Sequence, residues 1–210
     1  NRHHHRVMRG GWLFAAAAGL FLAAAARDFG DAWIDATVLP DLAVQTSVEV
    51  TDRNGDLLRV YTVADGRWRL RVGLSQVDQS YVAALLNHED KRFYQHSGVD
   101  ARALLRAAAQ AVWHRGIVSG GSTLTMQVAR LLETSGTGHM AGKLRQMRVA
   151  LALERRLSKP EILTLYLHLA PYGGNLEGLR AATLSYFGKE PLRLTPAGSA
   201  LLVAIPQSPE

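Results

Sequence analysis

The 210-residue sequence contains no cysteine. Disulfides and thiolate metal sites are therefore excluded, although the compartment is left open, since exported bacterial proteins often lack cysteine too. Aromatic residues are 7% of the chain, and no cluster of them offers a platform for stacked bases. Acidic residues are the minority: 18 Asp and Glu against 24 Lys and Arg leave a formal net charge of +6. Such a balance points to an anionic partner, whether nucleic acid, anionic lipid or a phosphorylated substrate. The Gly-x₄-Gly-Lys spacing of a nucleotide-binding P-loop is missing. Internal repeats are missing too, and the one compositionally biased run is rich in alanine.

That run, Gly10 to Ala26, holds no charged residue, and with Val7 and Met8 it reaches about the length that crosses a bilayer. Arg2, Arg6 and Arg9 precede it; Arg27, Asp28 and Asp31 follow it. The positive-inside rule places the N-terminus in the cytoplasm and the rest outside. A cleaved signal peptide also fits Ala-rich wording; the apolar length and Trp12 at the interface favour an uncleaved anchor. The basic residues then follow an export anchor, which argues against a nucleic-acid partner. His3, His4 and His5 read as a cationic flank or a weak metal binder, and no metal site is assigned. The chain opens on Asn1 and closes on Pro206-Gln207-Ser208-Pro209-Glu210, so we expect a piece of a longer protein.

Residues 1–9 are thus a basic flank, 10–26 an anchor, 27–75 a connector with a β element, and 76–210 a helical domain. Val48 to Val63 reads as a hairpin with Asn54-Gly55 at its tip. Arg67 to Val72 alternates and is a candidate third strand. Helical patterns follow at about 78–92, 101–114, 122–133, 141–157, 159–169, 175–186 and 195–204. The fold class is mainly α with a small N-terminal β element and one transmembrane helix.

Glu89 falls three and four residues past Leu86 and Leu85, so in a helix it joins their apolar stripe, while Asp90 turns about 100° away. A carboxylate set against apolar surface is a candidate acid or base with a raised pKa. A solvated Glu at a helix end fits the spacing as well. Gly120-Gly121-Ser122-Thr123 precedes a helix in which Thr123, Gln127 and Arg130 share a side. Ser122 or Thr123 can cap that helix, and a capped N-terminus with a guanidinium suits phosphate. An ordinary polar helix face fits too. In the next helix Arg145, Arg148 and Arg155 cluster on one side, and Lys143, Gln146, Ala150 and Glu154 lie on another. His168, near a helix end, reads more readily as a satisfied histidine than as a catalytic one.

Together these stretches resemble the peptidoglycan glycosyltransferase domain of bifunctional penicillin-binding proteins, glycosyltransferase family 51. Glu89-Asp90-x-x-Phe93-x-x-His96-x-Gly98-x-Asp100 matches its first motif. Gly121-Ser122-Thr123-Leu124-x-x-Gln127-x-x-Arg130 matches the second, with Arg where most members have Lys. Lys143 matches the third, Lys159-x-x-Ile162-Leu163-x-x-Tyr166-Leu167 the fourth, and Ala181-Ala182 with Tyr186-Phe187-Gly188-Lys189 the fifth. Five motifs in order cover about residues 45–210.

The resemblance implies a lysozyme-like fold whose residues 100–120, with Leu104, Leu105, Val112, Trp113, Ile117 and Val118, form an apolar jaw on the membrane. It implies polymerisation of lipid II into glycan strands, with Glu89 as general base. Ser122, Thr123, Gln127, Arg130, Lys143 and Arg148 would bind substrate, and Asp90, Phe93, His96 and Gln146 would order the site around them. Expected partners are lipid II, the nascent glycan strand, the cytoplasmic membrane, a C-terminal transpeptidase domain and other cell-wall synthesis proteins. No cofactor is assigned; a divalent cation (Mg²⁺ or Mn²⁺) is the candidate. Two positions depart from the family: Gln146 stands where a second Glu is usual, and His168 where Asn is usual.

Overall fold

A computed structural model describes residues 3–114, 121–133 and 140–207; Ile117, Val118 and Gly120 lie outside them. Along the sequence the chain divides between Val38 and Leu39 into two compact units.

The first unit is helix α1, His3–Asp35. Its stretch Trp12–Asp35 is long and apolar enough to cross a membrane, and none of it is buried within the protein. Leu13, Phe14, Leu20, Phe21 and Leu22 are all exposed, an arrangement that calls for an apolar solvent. The helix does not stop at Ala26, where the sequence pattern places the start of the connector. It runs on through an Arg27–Asp31 pair one turn apart, 3.8 Å between charged atoms, of the kind that supports a helix in its polar stretch.

The second unit opens with the expected hairpin, strand β1 (Val48–Thr51) antiparallel to β2 (Leu57–Tyr61), Val48 opposite Tyr61. Asp52 builds its turn by accepting the Asn54 and Asp56 N–H groups at 2.8 and 2.9 Å, and Gly55 takes the positive φ of 89°. The candidate third strand does not join this hairpin. Strand β3 (Trp68–Arg69) instead pairs in parallel with β4 (Leu176–Glu177), more than a hundred residues on. The reason is electrostatic: Arg69 Nε donates to Glu177 Oε2 at 2.8 Å across the ladder, and both side chains are buried.

The helices are α2 (Gln79–Glu89), α3 (Ala101–His114), α4 (Leu124–Glu133), α5 (Met140–Arg156), α6 (Lys159–Leu169), α7 (Leu179–Phe187) and α8 (Pro196–Ala204). Local chemistry sets several ends. Ser158 and Glu161 form a capping box before α6, with Pro160 in its first turn. Thr195 caps α8 by accepting the Gly198 N–H, and Gly188 closes α7 at φ 64°. Helix α4 packs on α5 and α6, and α2 on α8. Tyr81, Leu85, Leu124, Leu153, Ile162, Tyr166 and Leu179 fill the space between them. On α3, Leu105 and Trp113 face outward.

His168 is part of this framework. Its Nε2 accepts the Val72 N–H at 3.0 Å. Burial, reinforced by the Arg71 charge, lowers its pKa and keeps it a neutral acceptor.

Candidate active site

Glu89 is the last residue of α2, and Asp90 leaves the helix at φ −159°. Because the chain turns there, both carboxylates are enclosed, contrary to the expectation that Asp90 points elsewhere: the Glu89 side chain is 6% exposed and that of Asp90 4%. Asp90 accepts from His96 Nε2, 2.9 Å from each oxygen, and from the Leu124 N–H at 2.9 Å. Leu124 begins α4, so Asp90 caps that helix from 34 residues away, where a negative charge meets free N–H groups. His96 Nδ1 accepts the Gly98 N–H at 3.2 Å, which places the ring proton on Nε2, toward Asp90.

The start of α4 is held a second way. Thr123 Oγ1 accepts the Met126 N–H at 3.1 Å and donates to the Gly98 carbonyl at 2.5 Å. Gly98 has a φ of 98°, and a Cβ there would stand 2.7 Å from the Ala150 carbonyl oxygen. Only glycine lets this loop lie against α5. Thr123 therefore caps and clamps; it is 2% exposed and does not share an open face with Gln127 and Arg130.

With α4 anchored, its first turn presents Gln127 to Glu89: Gln127 Nε2 donates to Glu89 Oε2 at 2.7 Å. His88 Nε2 lies 3.9 Å from the other oxygen. One turn further, Arg130 is exposed on the surface. Across from α4, Lys143 of α5 donates to Ser122 Oγ. Burial first, then the Arg130 charge, lower the Lys143 pKa. Two cations held this near are mutually unfavourable until an anion joins them, a mark of a phosphate site. The lowered pKa gives a pH prediction. Lys143 loses its charge at lower pH than an ordinary lysine, so activity declines early on the alkaline side. In Lys143→Arg, whose guanidinium keeps its proton, a pH–rate profile should show that decline moved to higher pH.

Gln146 is 6% exposed, one turn along α5 from Lys143. Arg148 is half-buried on the same helix. Five residues past Lys143, it is turned about 140° around the axis, so it does not share the Lys143 face. Phe93 is buried behind the first motif. Lys159 sits over its ring at 4.4 Å and donates to the His96 carbonyl at 2.8 Å and to Glu154 Oε1 at 2.6 Å. Thr125 Oγ1 reaches the same Glu154 oxygen at 2.7 Å. Sequence reasoning assigned no site role to Lys159 or Thr125. The signal for Lys159 was its place in the fourth motif, whereas Thr125 carried none. Glu154 is committed to this pair and does not stand in for the second acid that Gln146 replaces. Lys159→Met would leave Glu154 buried without its cation; a loss of about 3–5 kcal/mol is expected, read as an earlier unfolding midpoint in denaturant.

The transglycosylase family profile matches residues 54–210. The chain is 43% identical to penicillin-binding protein 1C of Escherichia coli over 201 residues, 96% of this chain and 26% of that protein. It is 34% identical to penicillin-binding protein 1F of Bacillus subtilis over 80% of this chain and 23% of the relative. To Escherichia coli penicillin-binding protein 1A it is 33% identical over 83% of this chain and 20% of the relative. It thus spans about a quarter of the length of these relatives. By these matches the chain belongs to the transglycosylase family and carries the peptidoglycan glycosyltransferase domain of penicillin-binding proteins.

Proposed function

We propose that the chain polymerises lipid II into β-1,4-linked glycan strands on the outer face of the cytoplasmic membrane, with Glu89 as general base. The observation that carries this reading is the Glu89–Gln127 contact at 2.7 Å, beside a cationic pair that an anion would stabilise. Glu89 takes the proton from the acceptor sugar's 4-hydroxyl as that oxygen attacks the donor's anomeric carbon. The bond from that carbon to the pyrophosphate breaks, and its electron pair leaves on undecaprenyl pyrophosphate. An α-linked donor thereby gives a β bond. Negative charge grows on the leaving group, and Lys143 and Arg130 are placed to stabilise it. Gln127 is half-buried, so its amide can hold the carboxylate on one side and a sugar hydroxyl on the other.

Among the described residues no group of three His, Asp or Glu side chains could hold a metal ion. We infer that any divalent cation enters with the pyrophosphate, bound mainly by phosphate oxygens. No step above runs through it.

The test is to incubate the membrane-solubilised protein with labelled lipid II and resolve the products by length. Chains are expected; their absence from a folded preparation contradicts the reading.

Gln146 supports a second reading, a lipid II or glycan-binding module of low turnover. An amide cannot ionise, and at 6% exposure it occupies the position of the usual second acid. Gln146→Glu separates the two. A rise in polymerisation of about tenfold or more means the natural domain is impaired, and an unchanged rate leaves the polymerase reading standing.

A further inference from the structure

An open cavity of about 510 Å³ lies between the connector, the chain after β3 and helix α6. That volume is in the range of sites that hold small ligands. None of the residues lining it belongs to the site around Glu89. Along its connector wall burial alternates: Leu42, Val44 and Thr46 are half-buried, while Ala43 and Gln45 between them are exposed. The wall is fastened in place. Arg69 Nη1 donates to the Gln45 carbonyl at 2.9 Å, and the Ser47 N–H donates to the Arg69 carbonyl at 2.7 Å.

Helix α6 supplies Leu165 and His168 to the same cavity. His168 is 9% exposed, and its Nε2 accepts the Val72 N–H at 3.0 Å. In a neutral imidazole one nitrogen accepts and the other carries the proton. The proton is therefore on Nδ1, which has no partner among the described residues. Nor is Nδ1 sealed in the core, for the enclosed unpaired side-chain atoms among the described residues belong to Thr37, Tyr166 and Ser199. It opens into the cavity that His168 lines. Arg71, another lining residue, directly precedes Val72, and its carbonyl accepts Arg180 Nη1 at 3.1 Å. Its backbone is thus pinned beside the imidazole. The Arg71 guanidinium itself is exposed and makes no hydrogen bond or ion pair among the described residues. No carboxylate among the described residues lines the cavity. An N–H donor and a cation that converge on one space suit an anion. Leu42, Val44 and Leu165 beside them suit a hydrocarbon arm.

We infer that this cavity binds an anionic phospholipid, with its phosphate on Arg71 and the His168 Nδ1–H and its acyl arm along Leu42, Val44 and Leu165. The choice of a phospholipid rests on the reading of this domain as one that works on a lipid-linked substrate at a membrane, where such lipids are the abundant anionic amphiphiles. A lipid seated there would hold this side of the domain to the bilayer surface, away from the residues that carry the chemistry.

Dihexanoylphosphatidylglycerol, titrated into the full chain in neutral detergent, tests the site through the ¹⁵Nδ1 resonance of His168, assigned by its absence from His168→Asn. A saturable shift is expected. Dihexanoylphosphatidylcholine has the same chains and no net charge; inorganic phosphate has charge and no chains. Each should bind about tenfold or more weakly. Arg71→Gln should weaken phosphatidylglycerol binding by about the same factor, at an unchanged melting temperature because the side chain is exposed. Arg71→Lys should recover part of the loss. Arg106→Gln, which removes an exposed cation of α3, should change nothing; equal losses from Arg71→Gln and Arg106→Gln would reveal a general attraction to charge and overturn the site. Equal affinity for phosphatidylcholine, for inorganic phosphate or in Arg71→Gln would overturn it too. No turnover enters the measurement. A protein that makes glycan chains while His168 ignores the lipid overturns this inference and leaves the polymerase reading standing. One that seats the lipid but makes no chains does the opposite.

Discussion

Glu89→Gln is expected to lower lipid II polymerisation by about 10²–10⁴-fold while leaving the fold intact. The substitution keeps the shape and one acceptor for Gln127, whose Nε2 sits 2.7 Å from Glu89 Oε2. What disappears is the capacity to take a proton. Because that proton moves only in the transition state, kcat and kcat/KM should fall together, with KM nearly unchanged. The side chain is 6% exposed, so removing its charge also removes a desolvation cost, and stability should stay within about 1 kcal/mol of wild type. Steady-state kinetics beside a denaturant titration would check both halves. A variant that polymerises at the wild-type rate would move the base elsewhere.

Asp90→Ala should be the most damaging change to the scaffold of the site. It strips the acceptor from His96 Nε2 and from the Leu124 N–H. Both donors stay buried, and about 1–3 kcal/mol for each gives a loss of about 2–6 kcal/mol. The damage reaches the chemistry because Leu124 starts the helix that carries Gln127. With α4 no longer tied to the Glu89 turn, the amide loses its fixed distance to the carboxylate. Asp90→Asn keeps an acceptor for the Leu124 N–H but not the charge, so it should lie between wild type and alanine. Equal unfolding midpoints for Asp90→Ala and wild type would show that the bridge carries no stability.

Much of this site was legible because its parts are local in sequence. Leu85, Leu86 and Glu89 share a stripe whatever the rest of the chain does, and Gly121-Ser122-Thr123 announces a helix start. The long apolar helix and the hairpin were readable for the same reason. What could not be read depends on pairs far apart in the chain. Asp90 reaches Leu124, Arg69 reaches Glu177, and Lys159 reaches the His96 carbonyl. Spacing within a helix says nothing about such meetings. It also misassigned Thr123 to the open face, because a cap residue lies outside the helical geometry from which that face was projected.

The central claim is an inverting transfer driven by one base, and linkage analysis of the product tests it most directly. From α-linked labelled lipid II, the wild-type protein should give β-1,4 glycosidic bonds, with one undecaprenyl pyrophosphate released for each bond formed. An α linkage, or new reducing ends with no net growth in chain length, would contradict it.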